Sequence, residues 1–96
     1  MRVRRLQESD LESVLSLWNR TMRYDQLTPE LLEEKIWDDV DFSPDLTYVV
    51  EHESHVIGFV MGLIRHHSPD PIGYIKMLVI DSKFQRKGIG RRLLRE

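Results

Sequence analysis

The stretch Gly73-Tyr74-Ile75-Lys76-Met77-Leu78-Val79-Ile80-Asp81-Ser82-Lys83-Phe84-Gln85-Arg86-Lys87-Gly88-Ile89-Gly90-Arg91-Arg92-Leu93-Leu94 decides the fold. Residues 73 to 80 read as a strand, with Ile75, Met77 and Val79 on one face and Tyr74, Lys76, Leu78 and Ile80 on the other. Both faces are largely apolar, which implies a strand covered on both sides. A short loop then leads through Gln85-Arg86-Lys87-Gly88-Ile89-Gly90 into a helix beginning near Arg91. A helix leaves its first amides unpaired and gathers partial positive charge there, so a glycine-bearing N-terminus can wrap a pyrophosphate with backbone donors. Gly88 and Gly90 let an anion approach the backbone, and the neighbouring Arg and Lys side chains attract it from farther away.

Upstream, Val3 to Leu6 is a short strand candidate. Ser9 followed by Glu12 reads as a capping box, and Leu11, Val14, Leu15, Trp18 and Met22 recur at helical spacing, predicting an amphipathic helix over residues 10 to 23. Thr28-Pro29-Glu30 sets a cap, a first-turn proline and an acid in order, starting a second helix that runs to about Trp37 with Leu32 and Ile36 inward. From Leu46 the period changes. Thr47 to Glu51 and Val56 to Ile64 are rich in β-branched and aromatic residues, and the Glu53-Ser54 break predicts an antiparallel hairpin whose register is open, since the turn lacks Asn-Gly chemistry. The predicted order is strand, helix, helix, three strands, loop, helix, with no internal repeat or low-complexity tract to divide residues 1–96 into more than one domain.

Two familiar phosphate loops do not fit the Gly-x-Gly segment. A dinucleotide fingerprint needs a small residue where Leu93 stands, and a Walker loop needs Gly-Lys-Ser/Thr, which the sequence lacks. The segment resembles instead the Gln/Arg-x-x-Gly-x-Gly/Ala motif of the GNAT (GCN5-related N-acetyltransferase) superfamily. The likeness extends upstream through Met77-Leu78-Val79-Ile80-Asp81, downstream through Leu93-Leu94, and to the order of elements over essentially the whole chain, including the Gly58-Phe59 pair. Ser82 departs from the pattern, since many members carry proline there.

The resemblance implies an α/β (α+β) fold, a mixed, mostly antiparallel sheet flanked by helices. It implies an acyl-CoA-dependent N-acetyltransferase that passes the acetyl group of acetyl-CoA, its cosubstrate, to a primary amine by direct attack. Backbone groups of Leu78, Val79 and Ile80 would pair with the pantetheine amides, Gln85 would order the loop, and the amides of Arg86, Lys87, Gly88, Ile89, Gly90 and Arg91 would hold the pyrophosphate. A backbone N–H near Leu78 to Ile80 would stabilise the oxyanion, and no metal is needed. The family's domain is longer than 96 residues. The segment after the pyrophosphate-binding helix usually supplies a tyrosine general acid, so a truncated chain that is inactive alone is the expectation. The edge of strand 73 to 80 would then be covered by a second copy in a homodimer or by the missing C-terminal part.

A net charge of −2 conceals an asymmetry: residues 25 to 53 hold ten acids against Lys35, whereas residues 83 to 95 hold six bases and no acid. The basic tract suits a polyanion and the acidic tract a cationic partner, with a solvated surface favoured for the latter, while a small-molecule or protein amine as acceptor is what the resemblance implies. With 41% hydrophobic and 31% charged residues, no apolar stretch of membrane-spanning length and no cysteine, the composition fits a cytoplasmic globular domain without disulfides or thiol chemistry. Glu51 and Tyr74 are candidates for proton transfer, against the plain alternative of solvated strand ends. His52, His55, His66 and His67 complete no metal shell and read as surface residues. Trp18, Met22, Tyr24 and Trp37 could line an acceptor pocket, with core packing favoured for Trp18 and Met22. Two other functions stay open: a non-catalytic CoA-binding or interaction module, and nucleic-acid binding through Lys83 to Arg95. The latter lacks interleaved aromatics and an overall basic charge.

Overall fold

A computed structural model of the chain describes residues 1–66 and 69–87, the side chains of Arg86 and Lys87 excepted. The elements are β1 (Arg2–Arg5), α1 (Leu11–Thr21), α2 (Pro29–Ile36), β2 (Thr47–His52), β3 (His55–Arg65) and β4 (Ile72–Ile80), with 3-10 turns at Glu8–Asp10, Pro44–Leu46 and Ser82–Lys87. The strands form one antiparallel sheet in the order β1-β2-β3-β4. Among the described residues, β4 is therefore an edge strand.

The predicted elements from β1 to β4 are present with small shifts at their ends, while the helix predicted from about Arg91 lies outside the described residues. α2 begins as expected, with the Thr28 hydroxyl accepting from the Leu31 amide at 3.1 Å and Pro29 in the first turn. The start of α1 differs. Ser9 makes no cap, because Glu8–Asp10 winds as a 3-10 turn in which the Asp10 carboxylate accepts the Gln7 N–H at 2.8 Å and two guanidinium nitrogens of Arg4 at 2.8 and 2.9 Å. A carboxylate with a charged partner outcompetes a hydroxyl for the position.

The inward face of α1 is Val14, Leu17 and Trp18, to which α2 adds Leu32 and Ile36. These pack on Val49, Phe59, Met61, Leu63, Met77 and Val79 from the sheet. The opposite face carries a smaller cluster, Val50, Ile57, Val60 and Ile80, flanked by Val3, Tyr48, Leu78 and Phe84. The sheet is thus apolar on both sides, as the sequence of residues 73 to 80 implied for that strand.

Three irregularities set which side chain faces which cluster, one of them a register shift in the β2–β3 pair that leaves Ile57 over between Val50–Gly58 and Glu51–Val56. The β2–β3 turn places Glu53 and Ser54 at φ 50° and 66°, both left-handed, as the twist of a two-residue hairpin requires although neither residue is glycine or asparagine. In β4, Met77 lies opposite Met61 and Ile75 opposite Gly62, so Lys76 is an extra residue, a β-bulge. The strict alternation expected for residues 73 to 80 therefore fails. Tyr74 pairs with Leu63 on the helix-covered face, Lys76 reaches that same side, and Met77 and Val79 are buried there; Leu78 and Ile80 lie on the other face, as does Ile75, opposite Gly62. Coverage also divides at the bulge: Met77 to Ile80 are buried or half-buried, whereas Ile72 to Ile75 are exposed.

Candidate functional site

The end of β4 and the turn that follows are tied down by local hydrogen bonds. The Asp81 N–H donates to the Ile57 carbonyl at 2.8 Å, and the Phe84 N–H donates to the Asp81 carbonyl at 2.8 Å. The Asp81 carboxylate accepts from Arg20 of α1 at 2.9 Å and from the Lys83 N–H at 3.0 Å, an N-cap arrangement for the 3-10 turn Ser82–Lys87. Arg20 first, then the Lys83 amide, hold this carboxyl below its ordinary range. The Gln85 side-chain amide donates to the Ile80 carbonyl at 3.0 Å, folding the turn back on the strand.

These bonds fix the direction of the β4 backbone. Within a planar trans peptide the C=O and N–H point opposite ways, so the Asp81 N–H aimed at β3 turns the Ile80 carbonyl outward. Along an antiparallel ladder the sense alternates residue by residue, so the N–H and C=O of Val79 face β3 whereas those of Leu78 and Ile80 face the outer edge. That edge offers alternating donors and acceptors to an extended amide-bearing ligand, at the end of β4 where its side chains are buried on both faces. Of the remaining predicted phosphate contacts, Arg86 and Lys87 lie in the 3-10 turn, and Gly88, Ile89, Gly90 and Arg91 fall outside the described residues.

A cleft of about 690 Å³ opens between α1, the β2–β3 turn and Asp81 to Phe84. Its walls mix Arg20 and Lys83 with Glu12, Glu53 and Asp81 and include none of Leu78, Val79, Ile80 or Gln85. Among the described residues the charge of this cleft is thus mixed, which focuses a polyanion poorly.

The structure keeps the two proton-transfer candidates apart. Glu51 pairs with Val56 near one end of β3, and its carboxylate accepts from Arg4 Nε at 2.8 Å. Tyr74 pairs with Leu63 near the other end, and its hydroxyl accepts from Arg65 Nε at 2.7 Å. At ~3.3 Å per strand residue they stand roughly 20 Å apart along the sheet. Trp18 is core, its indole N–H donating to the Asp25 carbonyl at 2.7 Å, and Met22 packs partly against the same cluster. Trp37 meets Phe42 edge-on, whereas Tyr24 is fully exposed on the α1–α2 connection. His52, half-buried, packs edge-on against Phe84. No cluster of metal-ligating residues exists among the described residues.

One charged cluster was not foreseen. Asp39, just beyond α2, has a buried carboxylate: Oδ1 accepts from Arg65 Nη1 at 2.7 Å and the Asp41 N–H at 2.9 Å, and Oδ2 accepts from Arg65 Nη2 at 2.8 Å and Lys76 Nζ at 2.7 Å. Burial pushes this carboxyl up, but the donors from Lys76, Arg65 and Asp41 together outweigh it and leave it well below the usual carboxylate range. Arg65 also reaches Asp41 at 2.8 Å, and Lys76 the Lys35 carbonyl in the last turn of α2 at 2.7 Å. These partners lie 24 to 41 residues apart, beyond any local sequence signal.

A family model described as the acetyltransferase (GNAT) family matches residues 11–96. Solved structures share the fold. An apo aminoglycoside 6′-N-acetyltransferase from Acinetobacter haemolyticus is 18% identical, with 99% of this chain covering 67% of that one at a TM-score of 0.78. A diaminobutyrate acetyltransferase from Paenibacillus lautus, solved with L-2,4-diaminobutyric acid and coenzyme A, is 21% identical, with 98% and 54% covered and a TM-score of 0.77. An acetyltransferase from Vibrio fischeri is 22% identical, with 99% and 81% covered and a TM-score of 0.69. The chain spans about half to two thirds of the first two relatives. No curated protein sequence matches it. The strand order, the turn after β4 and a family match over residues 11–96 agree: the chain belongs to the GNAT acetyltransferase family.

Proposed function

We propose that this chain supplies the CoA-binding part of a cytoplasmic N-acetyltransferase that transfers the acetyl group of acetyl-CoA to a primary amine by direct attack. The observation that carries the reading is the outward N–H and C=O of Leu78 and Ile80 on the edge of β4, next to a turn held by Gln85. Leu78 and Ile80 pair with the pantetheine amides, and Val79 between them is held in register by Phe59. The loop from Arg86 to Arg91 takes the pyrophosphate through backbone amides, with its Arg and Lys residues adding charge. Nearer the thioester, the Leu78 N–H donates to the carbonyl oxygen as the amine adds and negative charge collects there; the C–S bond then breaks, CoA leaves as the thiolate, and the proton lost by the amine nitrogen passes to solvent. No role in this chemistry is assigned to Glu51 or Tyr74. The comparisons support an amine acceptor through relatives named for aminoglycosides and diaminobutyrate. The outer edge of β4 beyond the cofactor is covered by a further strand, from a second copy or from continuing sequence.

Isothermal calorimetry tests the reading. The chain binds CoA and acetyl-CoA, and Gly88→Glu, which sets bulk and negative charge at the pyrophosphate, weakens both by more than ten-fold. Equal affinity in wild type and variant removes this loop as the site. Tighter binding to duplex DNA than to CoA replaces the reading with nucleic-acid binding.

A further inference from the structure

We propose that Asp39 is a positioning residue: through Lys76 and Arg65 it fixes the register of the first half of β4 and so maintains the bulge beside the cofactor edge. The inference deepens the acetyl-CoA reading above and rests on it.

The second half of β4 is set by packing. Met77 and Val79 are 4% and 2% exposed on the helix side, and Ile80 is 9% exposed on the other. The first half has no such constraint, since Ile72, Tyr74 and Ile75 are all more than 40% exposed. Were β4 regular from Met77 backwards, Lys76 would stand opposite Gly62 and Ile75 opposite Leu63. A one-residue slip exchanges the two faces. Ile75 would then turn towards the helix-covered core, Lys76 away from it, and Tyr74 away from Arg65. Apolar burial thus favours the regular strand, because it would cover an isoleucine now 41% exposed.

What opposes the slip is the charged cluster. Asp39 holds Lys76 Nζ on the helix side at 2.7 Å, with the Lys35 carbonyl as its second acceptor. Asp39 also grips both terminal nitrogens of Arg65, whose Nε reaches the Tyr74 hydroxyl. Lys76 and Tyr74 are therefore kept on the face that the slip would take from them. Holding one half of a strand in one register and the other half in another leaves one residue over, and that residue is Lys76. The resulting bend lies two residues before Leu78, whose outward N–H the cofactor reading uses.

The test compares wild type with Asp39→Asn, the double variant Asp39→Asn/Lys76→Met and the control Asp10→Asn, which removes a similarly buried carboxylate far from β4. Cross-strand proximity by NMR reads the register, and acetyl-CoA calorimetry reads its consequence. We expect Asp39→Asn to replace the Gly62–Ile75 contact with Gly62–Lys76 and to weaken acetyl-CoA binding at least ten-fold. The double variant, which also removes the remaining bond from Lys76 to the Lys35 carbonyl, keeps the slipped register and weak binding. Asp10→Asn lowers the urea midpoint with neither change. Retention of the Gly62–Ile75 contact in the double variant, or wild-type acetyl-CoA affinity in it, overturns the inference and leaves Asp39 a stabilising residue only. If the wild type itself binds no acetyl-CoA, the parent reading falls, while the NMR comparison still decides what holds the register.

Discussion

Gly58 sits opposite Ile80 at the end of β4, and replacing it with alanine probes how tightly that end of the strand is packed. A Cβ there would lie 3.1 Å from Ile80 Cδ1, 3.2 Å from Val50 Cγ2 and 3.3 Å from Val50 Cβ. Carbon pairs are most favourable at ~3.5–4.0 Å, so the neighbours must retreat by about half an ångström. Ile80 Cδ1 is the end of a side chain that can rotate; Val50 is β-branched, 1% exposed and fixed to its strand. Against the strain stand a gain of about 0.5–1 kcal/mol from removing a strand glycine and about 0.8 kcal/mol from a buried methyl. Overpacking costs about 1–3 kcal/mol, and because Val50 cannot retreat the cost falls towards the upper end, about 2.5 kcal/mol, so Gly58→Ala should be net destabilising by about 1 kcal/mol. With a urea slope of ~1–3 kcal/mol/M, its midpoint falls by roughly 0.3–1 M. Ile80→Val deletes the nearest clashing atom and alone costs about 1 kcal/mol. In the double variant the two losses should sum to about 0.5–1 kcal/mol less than separately, because the deleted methyl makes room for the added one. Urea unfolding of the four proteins measures the cycle. Additivity within about 0.3 kcal/mol would refute the reasoning, since it would mean that Ile80 Cδ1 does not limit the space at Gly58.

Other substitutions address the turn, the α1–α2 connection and the ion pairs. Glu53→Asn with Ser54→Gly should stabilise by about 1 kcal/mol, because two residues held at positive φ are replaced by ones that adopt it readily; a higher urea midpoint checks this. Asn19→Ala should cost about 1–3 kcal/mol, since the side chain both donates to the Leu27 carbonyl at 2.9 Å and accepts from its N–H at 2.8 Å; thermal melts read the loss. The carboxyls of Asp10, Asp39 and Asp81 are all lowered in the folded protein, Asp10 chiefly by Arg4. Their stabilisation is therefore complete above the unfolded value of ~3.9 and disappears as pH falls through the lower folded values. Urea midpoints should hold from neutral pH down to about pH 5 and drop steeply below about pH 4, with a shallower drop in Asp39→Asn.

Most elements were legible because local chemistry agrees with the global fold. Thr28-Pro29-Glu30 caps α2 with no competitor, and the change of period at Leu46 coincides with the start of the sheet. The α1 cap was misread because Arg4, six residues before Asp10, decides which side chain takes the position, and neither propensity nor a capping pattern contains that contact. The faces of β4 were misread for a similar reason. Period-two alternation assumes an unbroken ladder, whereas the bulge depends on Asp39, 37 residues before Lys76. Of the outer edge of β4 proposed to take the cofactor, the motif at Gln85 was readable, as was the strand before it. The inward turn of the Val79 backbone was not, because it is set by the bond between Asp81 and Ile57 on another strand.

The charge asymmetry also takes a different meaning once the partners are known. Among the ten acids between residues 25 and 53, Asp39 and Asp41 bind Arg65, Asp39 also binds Lys76, Asp45 binds Arg5 at 2.7 Å and Glu51 binds Arg4. All four bases lie outside the basic tract 83–95. The acids that come closest to the sheet are thus spent on fixing strands: Glu51 reaches Arg4 on β1, Asp39 and Asp41 secure the end of β3 through Arg65, and Asp39 also holds the middle of β4 through Lys76. Asp25, Glu30, Glu33, Glu34 and Asp38 are exposed along α2 and its flanks. Because solvent and salt screen exposed charges beyond ~8–10 Å, these five can draw a cationic amine only at short range, whereas the buried Asp39 acts through direct bonds that salt barely weakens. One acidic tract therefore does two separable things, and ionic strength separates them: salt should weaken any attraction of cationic amines to α2 while leaving the β4 register, and with it the cofactor edge, in place.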